Sequence, residues 1–228
     1  MNVIKADSRF KIYNEDLETF KYLPAGTYNI SFNPMEGFSL VSRPNLEVKE
    51  RKIYGNSPAK IEKIMKSYAA SCRNFGVMLS GEKGVGKSMF VRLLSQRMVR
   101  QGLPVIIVTN AIPGIASFIG SMEQECAVIF DEFEKTFNDE NNEQDQLLSL
   151  FDGMDGGHKL FVVTFNEVGK VSQFMLNRPG RFHYHLTIGA PSSEEVTEYM
   201  KDNLKPEYHG YIREVVNLAL IGRMKIKL

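Results

Sequence analysis

The sequence predicts an α/β fold in which helices cover a five-stranded, parallel β-sheet. Five short apolar runs lie between residues 75 and 188. Most of these runs are continuously apolar, which is typical of strands that are buried on both faces. The segments between them carry apolar residues at helical spacing. Alternating buried strands and helices indicate a parallel sheet, because a parallel neighbour requires a long crossover, usually a helix.

The predicted elements follow one another in a regular order. The strands are Val77–Ser80, Val105–Val108, Ala127–Phe130, Leu160–Phe165 and His183–Ile188. The helices between them are Lys87–Gln101, Pro113–Met122 and Asn142–Phe151. Ahead of the first strand, Ser57 followed by Pro58 has the pattern of a helix N-terminus, so a helix is predicted over residues 58–72.

The two ends of the chain have patterns of their own. Residues 1–50 are predicted to form a small β-rich region, because β-prone runs flank a turn-forming Asn-Pro-Met-Glu-Gly segment. Residues 51–190 hold the alternating core. Residues 191–228 are predicted to be helical only, since Ser192 and Glu195 form a capping-box pattern at the beginning of a helix.

Composition excludes several classes of protein. The chain has 228 residues, of which 43% are hydrophobic and 24% charged, close to the globular average. No apolar run approaches the ~18 residues of a transmembrane helix, so no membrane partner is expected. Two cysteines cannot build a disulfide framework or a four-cysteine zinc site. Because the first residues lack the apolar stretch of a secretory signal, we expect a cytoplasmic protein.

The octapeptide GEKGVGKS at residues 81–88 matches the phosphate-binding pattern G-x-x-x-x-G-K-[ST] in full. Glycines let the backbone curl around phosphate oxygens, and the following helix adds its positive end. Lys87 is predicted to lie beside the β- and γ-phosphates, and Ser88 to offer its hydroxyl to Mg²⁺. The predicted nucleotide-binding residues are Gly81, Glu82, Lys83, Gly84, Val85, Gly86, Lys87, Ser88 and Met89.

Two carboxylates follow the third predicted strand. In a phosphate-binding fold, Asp131 at a strand end is the second contact to Mg²⁺, and Glu132 suits a base that activates water. The alternative interpretation is an acidic pair that merely ends a strand. Glu134 is expected to lie at the surface.

Polar residues near the last two strands are weaker candidates. Asn166 ends the fourth strand, where it would hold the attacking water or simply turn the chain. Arg178 and Arg181 precede the fifth strand. Arginine stabilises charge on phosphate oxygens, although solvated surface arginines are also common.

The order of these segments resembles the classical clade of AAA+ ATPases. The resemblance rests on GEKGVGKS, VIFDE, LLSLFDGMDGG, VVTFNE and LNRPGRF, and it covers roughly residues 53–220. It implies ATP and Mg²⁺ as cofactors and a ring-shaped homo-oligomer, expected to be a hexamer. It also implies that Asn166 is the sensor-1 residue, that Arg178 and Arg181 act on the next protomer, and that Tyr54 and Gly55 lie near adenine.

The sequence departs from this family at three places. His183 stands where the family usually has an acidic residue, and the loop of residues 110–114 lacks the usual aromatic residue. The family's helical lid has more helices than residues 191–228 provide, so we expect the chain to be a fragment with an incomplete lid. The compact core and the β-rich N-terminal region also resemble AAA+ proteins of phages and mobile elements.

Three functions remain open from the sequence. The first is an Mg-ATP-driven ring that remodels a protein or complex of unknown identity. The second is a DNA-associated ATPase of the helicase-loader or transposition-regulator type, although a net charge of +1 does not indicate a nucleic-acid partner. The third is an ATP-gated scaffold with little hydrolysis, which an incomplete lid favours and the intact Asp131-Glu132 pair opposes.

Overall fold

The structure is a computed structural model that describes residues 2–6, 8–14, 16–137, 143–152, 157–176, 181–214 and 216. The strands are β1 (Asn2–Ala6), β2 (Arg9–Tyr13), β3 (Thr27–Asn33), β4 (Gly37–Arg43), β5 (Phe75–Ser80), β6 (Val105–Val108), β7 (Cys126–Phe130), β8 (Lys159–Phe165) and β9 (Tyr184–Thr187). The helices are α1 (Ser57–Ala70), α2 (Lys87–Arg100), α3 (Ile115–Gly120), α4 (Phe133–Thr136), α5 (Leu148–Asp152), α6 (Gln173–Leu176) and α7 (Ser193–Asn203).

The predicted parallel sheet is confirmed. Strands β5 to β9 correspond to the five predicted strands, and every pairing among them is parallel. Within the sheet the order is β4-β3-β6-β7-β8-β5-β9. Strands β5 and β8 are buried along their whole length, which explains their continuous apolar runs.

The sheet has seven strands in the described residues, whereas the sequence predicted five. The additional two are β3 and β4, which form an antiparallel hairpin. Strand β3 pairs in parallel with β6, and Thr27 lies opposite Val105. Tyr28 and Ile30 of β3 are buried. The hairpin therefore covers an edge of the core that would otherwise expose unpaired backbone groups. Strands β1 and β2 form a separate two-stranded sheet.

Helices pack on both faces of the parallel strands. On one face, α1 contributes Ile64 and Tyr68 and α2 contributes Leu94 and Met98 to a shared apolar cluster. The buried residues of α1 recur at helical spacing, and α1 confirms the helix that was predicted over residues 58–72. On the other face, a cluster of phenylalanines that includes Phe130 packs beneath α3 and α5. The two layers hold the strand ends in fixed positions.

The parallel arrangement brings the sequence motifs to one edge of the sheet. Ser80 ends β5 directly before Gly81, Phe130 ends β7 directly before Asp131, and Phe165 ends β8 before Asn166. Since β8 lies between β7 and β5, the segments that follow these strands are neighbours. The carboxyl edge of a parallel sheet is where such folds place their ligands.

The C-terminal segment begins as predicted. The Ser192 hydroxyl accepts a hydrogen bond from the Glu195 N–H, and the Glu195 carboxylate accepts one from the Ser192 N–H, which completes the capping box of α7. A 3₁₀ turn follows at Pro206–Tyr211. The sequence pattern also predicts a second helix over Tyr208–Leu220, and residues 217–228, which include its end, lie outside the described residues. None of the described helices is long and apolar enough to cross a membrane.

Candidate nucleotide-binding site

A cavity of about 740 Å³ opens beside the phosphate-binding loop. Its walls come from three places in the chain: Gly84, Val85, Gly86 and Met89 of the loop and α2, residues between 50 and 60 around the beginning of α1, and residues from 188 into α7. Tyr54, which was predicted to lie near adenine, lines the cavity, while Gly55 packs against the side chain of Glu195. The size falls within the range of about 300–1,000 Å³ that is usual for small-molecule sites.

The Lys87 side chain lies inside the phosphate-binding loop and is 7% exposed. Its Nζ atom donates to the carbonyl oxygens of Gly81 at 2.6 Å and Glu82 at 2.9 Å, and to Asn166 Oδ1 at 2.8 Å. Burial lowers the pKa of Lys87, and the nearby carboxylate of Glu134 opposes that shift. The Lys87 ammonium therefore already lies within the loop. A bound phosphate group would replace some of these oxygen atoms as its hydrogen-bond acceptor.

The Asp131 carboxylate is oriented by the neighbouring strand. Thr164 of β8 is fully buried, and its hydroxyl donates to Asp131 Oδ1 at 2.6 Å. The same hydroxyl accepts a hydrogen bond from the Glu132 N–H at 2.9 Å. Thr164 therefore fixes both predicted acidic residues relative to β8. Sequence reasoning missed it, because nothing in an apolar strand pattern identifies which hydroxyl will face the next strand.

Glu132 adopts an unusual backbone conformation. Its φ of 49° lies in the left-handed region, and among the described residues it is the only non-glycine with a positive φ. Such strain is often found at functional sites. The Glu132 carboxylate contacts Lys135 at 2.6 Å, and this contact lowers the pKa of Glu132. The contact with Lys135 therefore favours the ionised form of the Glu132 carboxylate.

The prediction that Glu134 lies at the surface is wrong. Glu134 Oε1 accepts hydrogen bonds from both the backbone N–H and the side-chain Nδ2 of Asn166, each at 2.9 Å. The chain turns at Glu132 into α4, and this turn directs Glu134 back toward β8. If the strand continued past Phe130, the Glu134 side chain would point away from β8. The sequence pattern does not show the turn at Glu132, so it predicted the wrong position for Glu134.

Arg181 is not presented at the surface. Its side chain is 3% exposed and forms a buried ion pair with Asp152, with Nη2 at 2.8 Å from Oδ2. Its Nη1 donates to the Phe174 carbonyl oxygen at 2.7 Å. Arg181 thus joins the end of α5 to α6 within its own chain. Arg178, the other predicted finger, lies outside the described residues.

The side of the cavity where Tyr54 lies is bounded by contacts between α7 and the segment before α1. Lys52 Nζ lies 2.8 Å from Glu198 and 2.6 Å from Asp202, and Tyr54 donates its hydroxyl to Asp202 at 3.0 Å. The Tyr54 ring also packs edge-on against Tyr199 at 5.3 Å. The hydrogen bond from Lys52 lowers the pKa of Asp202. These partners lie about 150 residues apart along the chain, so no sequence signal indicated them.

The residues present fit ATP with Mg²⁺. No cluster of three or more His, Cys, Asp or Glu side chains in the described part of the chain forms a complete metal cage. Mg²⁺ does not need one, since it is usually bound by one or two carboxylates together with substrate phosphates and water. Ser88 at the beginning of α2 and Asp131 after β7 would supply such a partial set, and Asp131 lies close enough to Lys87 to interact with its charge.

The sheet order and the motifs gathered at its carboxyl edge define a P-loop nucleotide-binding protein. The profile of the "ATPase family associated with various cellular activities (AAA)" matches residues 77–190, which is half of the chain. The chain belongs to this family and is an ATPase that uses ATP and Mg²⁺.

A curated relative extends the comparison. The chain is similar to "ATP-dependent zinc metalloprotease FtsH 1" of Rhodopirellula baltica, with 25% identity over 207 residues. The alignment covers 77% of this chain and 28% of the relative. The chain therefore spans little more than a quarter of the length of that relative.

Proposed function

We propose that this ATPase works as a ring-shaped homo-oligomer and uses ATP hydrolysis to remodel a protein or protein complex. The observation that carries the proposal is the convergence of four polar side chains at one edge of the sheet. These side chains are Lys87, Asp131, Glu132 and Asn166. A ring is supported by membership of a family whose members typically oligomerise.

We assign the binding of the phosphates to the loop of residues 81–88. The N–H groups of Gly81, Glu82, Lys83, Gly84, Val85 and Gly86 and the Lys87 ammonium take the phosphate oxygens, and α2 contributes its positive end. Ser88 and Asp131 hold Mg²⁺, which neutralises charge on the phosphates. Tyr54, Gly55 and Met89 form the base end of the site; Tyr54 and Met89 line the cavity there.

We assign the hydrolytic step to Glu132 and Asn166. Glu132 takes the proton of the attacking water, and its lowered pKa supports an ionised carboxylate. Asn166 orients that water from the end of β8, which lies between the strands that carry the loop and the carboxylates. Thr164 keeps Asp131 and the Glu132 backbone in register with Asn166.

We assign Arg178 and Arg181 to the neighbouring protomer's nucleotide. Arginine supplied across an interface stabilises charge on transferring phosphoryl groups. Arg181 would have to exchange Asp152 and the Phe174 carbonyl for that nucleotide, since its guanidinium is held by both. We therefore expect the Arg181 guanidinium to leave Asp152 for the neighbour's nucleotide only when the ring assembles.

Hydrolysis by mixed variants tests the ring. Specific ATPase activity of the wild type should rise with protein concentration. Lys87→Ala should not bind ATP, and Arg178→Ala should bind but not hydrolyse it. Mixing the two variants should restore part of the activity, because the Lys87→Ala protomer supplies an intact Arg178 to the ATP that the Arg178→Ala protomer binds. Stimulation by an unfolded protein is expected, and stimulation by DNA instead would favour the DNA-associated alternative.

Two results would contradict the proposal. Activity independent of concentration, together with an Arg178→Ala protein as fast as the wild type, excludes an active site shared between protomers. Arg181→Ala is a weaker probe, because it also removes a buried ion pair within the chain. Its melting temperature must be measured beside its rate, so that a folding defect is not read as a catalytic one.

A further inference from the structure

Glu134 and Asn166 form a side-chain pair that no sequence motif predicted. They lie 32 residues apart, Glu134 in α4 and Asn166 directly after β8. A single carboxylate oxygen, Oε1, accepts both the backbone N–H and the Nδ2 of Asn166. The second oxygen, Oε2, is buried and has no hydrogen-bond partner among the described residues. The carboxylate is thus bound through one oxygen to one residue.

The two ends of the Asn166 amide face opposite charges. A carboxylate can only accept hydrogen bonds and an ammonium can only donate them. Nδ2 faces the Glu134 carboxylate, and Oδ1 faces the Lys87 ammonium. A flipped amide would set oxygen against oxygen and nitrogen against nitrogen. The contacts with Glu134 and with Lys87 therefore both require the same orientation of the Asn166 side-chain amide.

Other carboxylates near the site have their main contacts elsewhere. Asp131 is bound by Thr164, and Glu132 is bound mainly by Lys135, although its carboxylate also interacts with the Asn166 side chain. Glu167, the residue next to Asn166, pairs with Lys170, and both side chains are more than half exposed. Glu134 differs from these carboxylates, because it accepts hydrogen bonds from both the backbone N–H and the side-chain amide of Asn166.

We propose that Glu134 is a positioning residue for ATP hydrolysis, which holds the Asn166 amide so that Oδ1 faces the phosphate-binding loop. This inference rests on the role proposed above for Asn166. Lys87 must turn from Asn166 toward a phosphate during the reaction, and the contacts to Glu134 then keep the amide from rotating. An acceptor oxygen pointed at the loop takes a hydrogen bond from the attacking water, whereas an amide NH₂ group cannot.

Two substitutions of nearly equal volume separate the hydrogen bonds from packing. Glu134→Gln keeps an acceptor oxygen, and Glu134→Met removes it. We expect Glu134→Met to lower kcat about 10- to 100-fold, the range for a hydrogen bond to a charged group. Its ATP dissociation constant should change less than about 3-fold, while Glu134→Gln should recover most of kcat. The matched control is Glu167→Ala, whose kcat should equal that of the wild type.

A double-mutant cycle identifies the residue through which Glu134 acts. In an Asn166→Ala background, Glu134→Met should cost less than about 2-fold in kcat, because the group that it positions is already absent. Additive losses would overturn the inference and indicate a general structural role. The Asn166 side-chain amide resonances should also shift strongly in Glu134→Met, a readout that requires no turnover. Unchanged resonances would contradict the contact itself.

The role of Asn166 and the positioning role of Glu134 can be tested separately. If Asn166→Ala hydrolyses ATP as fast as the wild type, the role proposed for Asn166 is wrong. If Asn166→Ala is slow while Glu134→Met is as fast as the wild type, only the positioning inference is overturned. Equal melting temperatures of all variants are required for either conclusion.

Discussion

At the phosphate end of the site the polar side chains stand at the ends of buried strands, whereas at the base end they lie on an exposed helix and loop. Thr164, which orients Asp131, is fully buried. Lys52 and Asp202, which join the base end to α7, are each more than 40% exposed. Exposed ion pairs contribute little, typically ~0–1 kcal/mol.

This difference shows which part of the site is rigid. Positions at the phosphate end follow from backbone pairing within the sheet, so they are fixed before any ligand contact is made. At the base end, water competes for every polar contact between Lys52, Tyr54 and α7. We therefore expect changes at the phosphate end to act on chemistry and folding, and changes at the base end to tune affinity.

The largest effect on turnover is expected from Glu132→Gln. The variant keeps Lys87, Ser88 and Asp131, so ATP should bind as in the wild type. Loss of the base should reduce hydrolysis about 100-fold or more. Rapid-quench measurement of hydrolysis beside a fluorescent-ATP binding assay separates the two effects. Turnover near the wild-type rate would mean that another group activates water.

The pH dependence of ATP hydrolysis also tests the role of Glu132. Because the contact with Lys135 lowers the pKa of Glu132, the ionised base persists below the usual carboxyl range. Activity that depends on this base should therefore hold as pH falls, and be lost only below that range. Lys135→Ala should move the acidic limb to higher pH. A limb that does not move would separate Lys135 from the base.

An intermediate effect is expected from two matched glycine substitutions. A Cβ on Gly81 would overlap the Ile188 carbonyl oxygen, which is fixed backbone, whereas one on Gly55 would overlap the end of the Glu195 side chain. Both glycines have a positive φ, so both variants carry backbone strain. Gly81→Ala should lower ATP affinity at least tenfold more than Gly55→Ala does, as measured by titration calorimetry. Equal losses would contradict a rigid phosphate end.

The smallest effect is expected from Lys52→Ala. Removing the partner of Glu198 and Asp202 should weaken ATP binding about 2- to 5-fold at low salt, and the difference should vanish near 0.5 M salt as the charges are screened. Since Lys52 lowers the pKa of Asp202, the contact should survive mild acid and be lost below the usual carboxyl range. The control is Lys170→Ala, which removes a more exposed ion pair outside the cavity. A large loss of ATP affinity that does not depend on salt would show that Lys52 behaves like the residues of the rigid phosphate end.

Contiguous patterns in the sequence predicted the parts of this protein that depend on neighbouring residues. The octapeptide of residues 81–88 determines its own turn and the beginning of α2, because its glycines and the following apolar spacing act locally. The five core strands were predictable for the same reason, since burial on both faces leaves a continuous apolar run. The capping box of α7 also spans only four residues.

Tertiary structure decided what depends on residues far apart in the chain. The hairpin β3–β4 reads as a separate β region, yet it joins the core sheet because β6 offers an open edge with buried neighbours. The sequence pattern is typical of an exposed charge at Arg181, yet its side chain is buried and paired with Asp152. The partners Glu134 and Asn166 meet only because β7 and β8 are adjacent. Strand order is set by the packing of the whole core, and no local pattern carries it.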